Sequence, residues 1–224
     1  MTNPSPQIDH IVFACASLEQ AAAYSERVLG VTPSAGGEHP LMGTHNRLIL
    51  GFSERLLSVY IEFIAINPIA MSVATAPAHP RWFGLDNPAL QTQIAEEPKL
   101  VHFVASVPDI TPASSAMSAL GYPPGPAREV SRADLRWRMT ITPNGEQHEA
   151  GLVPTLIQWS SEHPSKRLPP LGVSLQDLRC EHPQIERIRE AHAAIGLSAG
   201  LSYARASAPR LRAALMTPLG AVTL

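Results

Sequence analysis

The sequence has few cysteines, little excess charge and no long apolar run. Cys15 and Cys180 are its only cysteines, which excludes a disulfide-held scaffold and favours a reducing compartment, so we expect a cytoplasmic protein. Its apolar runs, such as residues 63–66, are far too short to span a membrane. The net charge is −2 and the basic residues are scattered, so we expect neither a nucleic acid nor a membrane as partner.

The amino-acid composition is that of a globular protein. Apolar residues make up 45% of the chain and charged residues 16%, which suffices for a core and argues against disorder. The 22 prolines are about twice the average usage, and they argue against a helical bundle.

One pattern occurs three times along the chain. Residues 7–33, 99–123 and 171–197 each contain a short apolar run, a helical stretch and a closing glycine, which is typical of a strand followed by a helix. His10 lies 20 residues before the first closing glycine, and His102 lies 19 residues before the second. The first two copies therefore carry a histidine at nearly the same register.

The downstream halves repeat as well. Thr-Pro-x-Gly groups at 142–145 and 217–220 each end 24 residues after the closing glycine of their copy, and they indicate tight turns between strands. The repeated unit is therefore a strand, a helix and two or three further strands. We predict an α/β (α+β) protein with a mixed, mostly antiparallel sheet covered by three helices.

The repeats also predict where each module begins and ends. We expect a first βαβββ module at 7–66, a second at 99–160 and a shortened βαββ module at 171–224. Residues 67–98 and 161–170 are connectors, and the apolar residues of the first suggest a segment that packs on the surface as a lid.

Repeated units with His on the first strand and Glu on the last resemble the vicinal oxygen chelate superfamily, which includes glyoxalase I, extradiol dioxygenases and bleomycin resistance proteins. Within it, the chain resembles the glyoxalase-like domain proteins. The resemblance implies that two modules pair into a half-open barrel and that a divalent metal ion binds in its cup. It is carried by these segments: 8–14, 43–48, 60–65, 154–159 and 217–220.

Four positions are candidate metal ligands. His10 and His102 share a register, and Glu62 and Gln158 lie on the last strands of their modules. Two imidazoles and a carboxylate suit a divalent first-row metal, and the resemblance implies all four as ligands of Zn, Ni, Mn, Co or Fe. The Gln158 amide departs from the usual second carboxylate, which leaves Glu62 as the candidate catalytic group. The alternative is that both histidines are structural and that Glu62 lies on a solvated strand face.

A second candidate region is the Gly-rich and polar stretch 36–47, interpreted as a loop. The resemblance places it at the mouth of the cup, where four side chains would contact a substrate oxygen or carboxylate. The alternative is an ordinary turn whose glycines adopt positive φ. The four candidate substrate-binding residues are His39, His45, Asn46 and Arg47.

Three hypotheses for the function follow. The first is a metal-dependent lyase or isomerase that chelates a small molecule with two adjacent oxygens and stabilises an enolate-like state. The second is an Fe(II) extradiol-type dioxygenase that uses His10, His102 and Glu62. The third is a metal-free protein that binds a small ligand. The third module also allows a homodimer, in which it pairs with its twin.

Overall fold

The computed structural model describes residues 5–52, 59–71 and 79–224, without the side chains of residues 70 and 71. The helices are α1 (Leu18–Leu29), α2 (Pro88–Glu96), α3 (Ile110–Ala119) and α4 (Ile185–Ala194). The strands are β1 (Gln7–Ala14), β2 (Ser34–His39), β3 (Thr44–Leu50), β4 (Tyr60–Ile66), β5 (Lys99–Ser106), β6 (Ala127–Arg132), β7 (Leu135–Thr140), β8 (Thr155–Trp159), β9 (Ser174–His182), β10 (Leu201–Arg205), β11 (Arg210–Thr217) and β12 (Gly220–Thr223).

The first two modules share one eight-stranded sheet in the order β2-β3-β4-β1-β5-β8-β7-β6. In each module the first strand runs parallel to the last, and the two first strands, β1 and β5, pair antiparallel at the centre. The sheet curls until its edge strands β2 and β6 approach each other, so it is nearly a closed barrel. The predicted fold class, with βαβββ modules that build a half-open barrel, is confirmed.

The third module forms a separate four-stranded sheet in the order β10-β9-β11-β12. It differs from the prediction, because three strands follow its helix and not two. Its first strand also pairs parallel with β10, the strand directly after the helix. Residues of β10 are only partly buried on both faces, so this strand has no apolar alternation by which the sequence would reveal it.

The two faces of the large sheet have different roles. Its outer face carries apolar side chains such as Phe13, Phe63 and Phe103, which join the third module in one core. The inner face carries His10, Glu62 and a smaller apolar cluster. Because side chains alternate along a strand, the inner face is the one that can present polar groups to a ligand.

Local signals set the helix ends. Helix α1 begins at Ser17, whose hydroxyl accepts from the Gln20 backbone N–H, and ends at Gly30 with φ 73°. The closing glycines of the other copies also adopt positive φ. A fourth helix, α2, adds to the three predicted ones within the connector at 67–98. Asn87 and Pro88, residues that are common in loops, form its N-cap and first turn. None of the helices in the described ranges is long and apolar enough to cross a membrane.

Candidate functional site

The inner face of the sheet encloses a small cavity. The volume that the centre of a water molecule can occupy in this cavity is about 30 Å³. The cavity therefore has room for a few water molecules at most. All three tryptophans of the chain contribute to its wall. The cavity is lined by His10, His39, Asn46, Tyr60, Glu62, Trp82, Phe83, Arg132, Trp137, Met139, Ile157 and Trp159.

His10 lies at the centre of the cavity wall and is held from two sides. Its Nδ1 donates a hydrogen bond to Asp9 Oδ1 at 2.7 Å, and its ring stacks on Tyr60 with centroids 4.5 Å apart. Its Nε2 lies 3.5 Å from Glu62 Oε2, which is longer than an ordinary N–H···O hydrogen bond. The Nε2–H group therefore remains able to donate to a ligand.

Asp9 is a fully buried carboxylate that orients His10. It also accepts from Trp159 Nε1 at 2.8 Å and from His163 Nε2 at 3.1 Å. Burial by itself would raise the pKa of Asp9, but His163 and His10 hold this pKa well below its usual range. Adjacent strand residues normally face opposite ways, but an irregularity in the β1–β5 pairing between Ile8 and His10 lets Asp9 reach its neighbour.

The charge state of His10 follows from these contacts. Burial by itself would lower the pKa of His10, but its hydrogen bond to Asp9 and the nearby Glu62 carboxylate raise it to about 9. His10 is thus an imidazolium at neutral pH, flanked by two carboxylates. Burial would raise the pKa of Glu62, but His10 lowers it, so Glu62 is ionised.

Asn46 connects Glu62 to Arg132. Its Nδ2 donates to Glu62 Oε1 at 2.5 Å, and its Oδ1 accepts from the Gly37 backbone N–H at 2.8 Å and from Arg132 Nη1 at 3.3 Å. A continuous polar network therefore runs from Arg132 through Glu62 and His10 to Asp9.

Gly36 and Gly37 make room for this network. They lie inside β2, and neither adopts positive φ, so the interpretation of 36–47 as a loop is corrected to two strands joined by a short turn. A Cβ atom at Gly36 would collide with Asn46, and one at Gly37 would collide with the Arg132 side chain. The glycines are thus required for space and not for their backbone freedom.

His102 lies on the same face as His10, but it does not line the cavity. Its Nδ1 donates to the Gly151 carbonyl at 3.2 Å, and its Nε2 accepts from the Thr155 backbone N–H at 3.1 Å. The Phe83 ring lies 5.3 Å from its own ring. Burial lowers the pKa of His102 to about 3, so this histidine is neutral and both of its nitrogens are engaged.

Gln158 lies on the other face of the sheet. Its Oε1 accepts from the Ile110 backbone N–H at 3.1 Å, at the start of α3. The physical reason is strand alternation, because Ile157 and Trp159 on either side of it line the cavity. The structure therefore does not bring this predicted ligand to the other three.

The predicted four-ligand metal site does not fit these positions. His10 and Glu62 are close together, but the lone pair of His102 is taken and Gln158 faces away. Within the described ranges, no group of three His, Cys, Asp or Glu residues is placed to hold a metal ion. Any metal ion would have to bind His10 and Glu62 with ligands from elsewhere.

Of the four candidate substrate-binding residues, two line the cavity and two do not. His39 and Asn46 line the cavity, whereas His45 and Arg47 alternate to the opposite face of β3. Arg47 there donates to the Pro33 carbonyl at 3.4 Å. Burial lowers the pKa of His39 to about 4, so its imidazole is neutral beside Arg132.

Sequence reasoning missed four residues of the site, and only one of them had a recognisable signal in the sequence. Asp9 was visible as an acid within an apolar strand, next to His10. Arg132, Trp159 and His163 carried no local signal, because only the curled sheet and the second connector bring them near β1.

The first connector covers the cavity. Trp82 and Phe83 form a short 3₁₀ turn and are 6% and 3% exposed. Phe83 adopts a left-handed backbone with φ 58°, which a non-glycine residue adopts only when its surroundings fix it. The Trp82 ring contacts His39 edge to face, with centroids 5.1 Å apart.

Comparisons with known proteins agree with this architecture. A family model described as a glyoxalase-like domain matches residues 8–196. The chain belongs to a fold class of paired βαβββ modules, the vicinal oxygen chelate superfamily. Within that superfamily it belongs to the glyoxalase-like domain family, as its sequence predicts. No curated protein matches the sequence significantly.

Solved structures share the fold at low sequence identity. A hypothetical protein from Staphylococcus aureus is 14% identical, with 92% of this chain and 88% of that chain covered and a TM-score of 0.59. A methylmalonyl-CoA epimerase from Streptomyces coelicolor is also 14% identical, over 69% of this chain and 97% of its own, with a TM-score of 0.43. At such identities the likeness extends to the fold alone, and a score as low as the second supports no functional argument.

Proposed function

We propose that the protein is an enzyme of the isomerase or lyase type that moves a proton on a small carbonyl compound through an enol. The observation that supports this proposal best is the buried pairing of an imidazolium, His10, with a carboxylate, Glu62, in one small cavity. Among the three hypotheses it keeps the reaction class of the first, without the predicted metal site.

His10 is the proton donor in this reaction. Its Nδ1 is fixed by Asp9, and its Nε2–H faces a position that a substrate carbonyl oxygen can occupy. Positive charge on a buried imidazole stabilises negative charge that develops on that oxygen, which is the effect a metal ion supplies in many relatives. The raised pKa keeps His10 protonated before each turnover.

Glu62 is the base. Its carboxylate removes a proton from the carbon next to the carbonyl, and the C–H electron pair forms the new C=C bond. The carbonyl π pair moves to oxygen, which takes the proton from His10 Nε2. Once His10 is neutral, the pKa of Glu62 rises, because the neighbouring positive charge is lost. Reversal of these steps returns the proton to carbon.

The second and third hypotheses receive less support. A dioxygenase needs His10, His102 and Glu62 as free ligands, and His102 has no free lone pair. A passive binding protein gives no reason for an ionised pair in a cavity lined mainly by apolar groups, where buried charges are costly. The homodimer and the cytoplasmic location stay predictions.

Proton exchange in D₂O tests the proposal. The purified protein, dialysed against a chelator, is incubated with small carbonyl compounds such as hydroxyacetone and pyruvate, and deuterium at the α-carbon is followed by NMR. We expect exchange with the wild type and its loss in both Glu62→Gln and His10→Asn. Exchange that persists in both variants would contradict the proposal, as would an activity that appears only with stoichiometric metal.

A further inference from the structure

Arg132 brings a positive charge to the cavity, and no carboxylate among the described residues pairs with it. It ends β6, packs over Gly37, and its Nη1 lies 3.3 Å from Asn46 Oδ1 and 3.5 Å from His39 Nε2. Both of these partners are neutral, and no described residue forms an ion pair with Arg132. By contrast, the exposed Arg167 pairs with Asp134 at 2.6 Å. A half-buried guanidinium without a counter-charge is a natural site for an anion.

The indole of Trp82 points to a ligand independently. Trp82 is 6% exposed and lines the cavity, yet within the described ranges its Nε1–H has no hydrogen-bond partner. A buried donor left unpaired destabilises the protein, so a ligand that supplies an acceptor gains from it. His39 contacts both Trp82 and Arg132, so the two donors lie near each other.

The rest of the wall limits the size and polarity of the ligand. Beyond the polar network the cavity is lined by rings and apolar chains: Tyr60, Phe83, Trp137, Met139, Ile157 and Trp159. The small space that the centre of a water molecule can occupy, about 30 Å³, favours a compact ligand with a short apolar end.

We infer that the substrate is a short-chain 2-oxo acid of about pyruvate size, with its carboxylate on Arg132 and the Trp82 indole N–H. This inference rests on the proposed function, because it identifies the carbonyl compound on which His10 and Glu62 act. The carbonyl then lies toward His10, and the alkyl end contacts the apolar wall.

Tryptophan fluorescence tests the inference, since all three tryptophans line the cavity. Pyruvate is titrated against the wild type, with free N-acetyltryptophanamide as the correction for collisional quenching. We expect saturable binding that weakens at least tenfold in Arg132→Gln and several-fold in Trp82→Phe. Arg138→Gln is the matched control, because Arg138 is also half-buried but lies between two cavity residues of β7 and faces the opposite way.

Pyruvamide, the neutral isostere of pyruvate, tests the carboxylate contact on the wild type even if Arg132→Gln folds poorly. Pyruvamide should bind the wild type at least tenfold more weakly than pyruvate. Equal binding of the two, an unchanged affinity in folded Arg132→Gln, or tighter binding of phenylpyruvate would each overturn the inference.

Deuterium exchange separates this inference from the proposed function. Arg132-dependent binding of pyruvate without exchange of its methyl protons would uphold the ligand class and contradict the proton-transfer reaction. Exchange on pyruvamide as fast as on pyruvate would uphold the reaction and overturn the carboxylate assignment.

Discussion

His10 and His102 occupy the same register of two like modules, yet their surroundings make them opposites. His10 meets two carboxylates and is held as a cation, with Nε2 facing the cavity. His102 meets a carbonyl and a backbone N–H, lies beside Phe83 and is neutral. The duplicated fold thus supplies two equivalent strand positions, and the chemistry of each is set by what packs around it.

The difference is one of charge compensation. A buried imidazole becomes charged only when a carboxylate compensates the loss of water, and Asp9 does this for His10. Around His102 the partners satisfy hydrogen bonds but bring no charge. One module therefore carries the reactive groups, and the other closes the cavity with its hydrophobic wall.

The largest expected effect comes from Glu62→Gln. This change keeps an acceptor for Asn46 but removes the base, so we expect proton exchange to fall by about 10²- to 10⁴-fold. NMR in D₂O measures it, with Glu129→Gln on the exposed face of β6 as the control. A loss of less than threefold in a folded variant would rule out Glu62 as the base.

The pH dependence of stability should separate the two histidines. The stabilisation from His10, whose pKa is raised to about 9, is complete below about pH 6.5 and is lost as the pH rises through 9. The stabilisation from His102, whose pKa is lowered to about 3, is present above about pH 6.5 and is lost as the pH falls toward 3.

Urea unfolding of the wild type, His10→Asn and His102→Asn from pH 4 to pH 10 measures these contributions, which we expect to reach a few kcal/mol. The alkaline loss should be smaller in the first variant, and the acid loss should be smaller in the second. Parallel profiles for all three proteins would contradict the assigned charge states.

A smaller effect is expected for His102→Ala. Removal of this ring leaves the Gly151 carbonyl and the Thr155 backbone N–H unpaired and opens space beneath Phe83, so the free energy of unfolding should fall by about 2–3 kcal/mol. Denaturant titration measures the loss, while proton exchange per folded molecule should change little. A loss of metal binding and activity together would instead restore His102 as a ligand.

The smallest effect is expected for Asp9→Asn. The amide still accepts a hydrogen bond from His10 but carries no charge, so the pKa of His10 should fall from about 9 toward 6.5 by at least ~1 unit, or about 1.4 kcal/mol. NMR titration of the His10 ring measures this shift, and the alkaline limb of the exchange rate should move with it. If the pKa of His10 does not change, Glu62 alone stabilises the protonated form of His10.

Sequence periodicity sufficed for the repeated framework. Apolar runs, helical stretches and closing glycines at 30, 121 and 196 are local signals, and they predicted the two βαβββ modules. The curled sheet was implied only by the resemblance to the vicinal oxygen chelate superfamily. Alternation along β4 set Glu62 on the face opposite to Ile61 and Phe63, and the register shared by the two modules matched His10 with His102.

The same local rules failed where contacts are distant. The role of Gly36 and Gly37 depended on side chains from β3 and β6. For Gln158, alternation links its face to that of Ile157 and Trp159, but only the folded sheet decided which of the two faces lines the cavity. Strand β10 and helix α2 were missed because their signals were weak or were interpreted as turns.

By itself, the sequence determined the βαβββ order of the first two modules and the register that His10 shares with His102, since both follow from local patterns that repeat along the chain. Only the tertiary structure decided which histidine is charged and which ring nitrogen is free. Those properties depend on burial and on partners far along the chain, such as Gly151 for His102 and His163 for Asp9, and a local pattern contains no information about either.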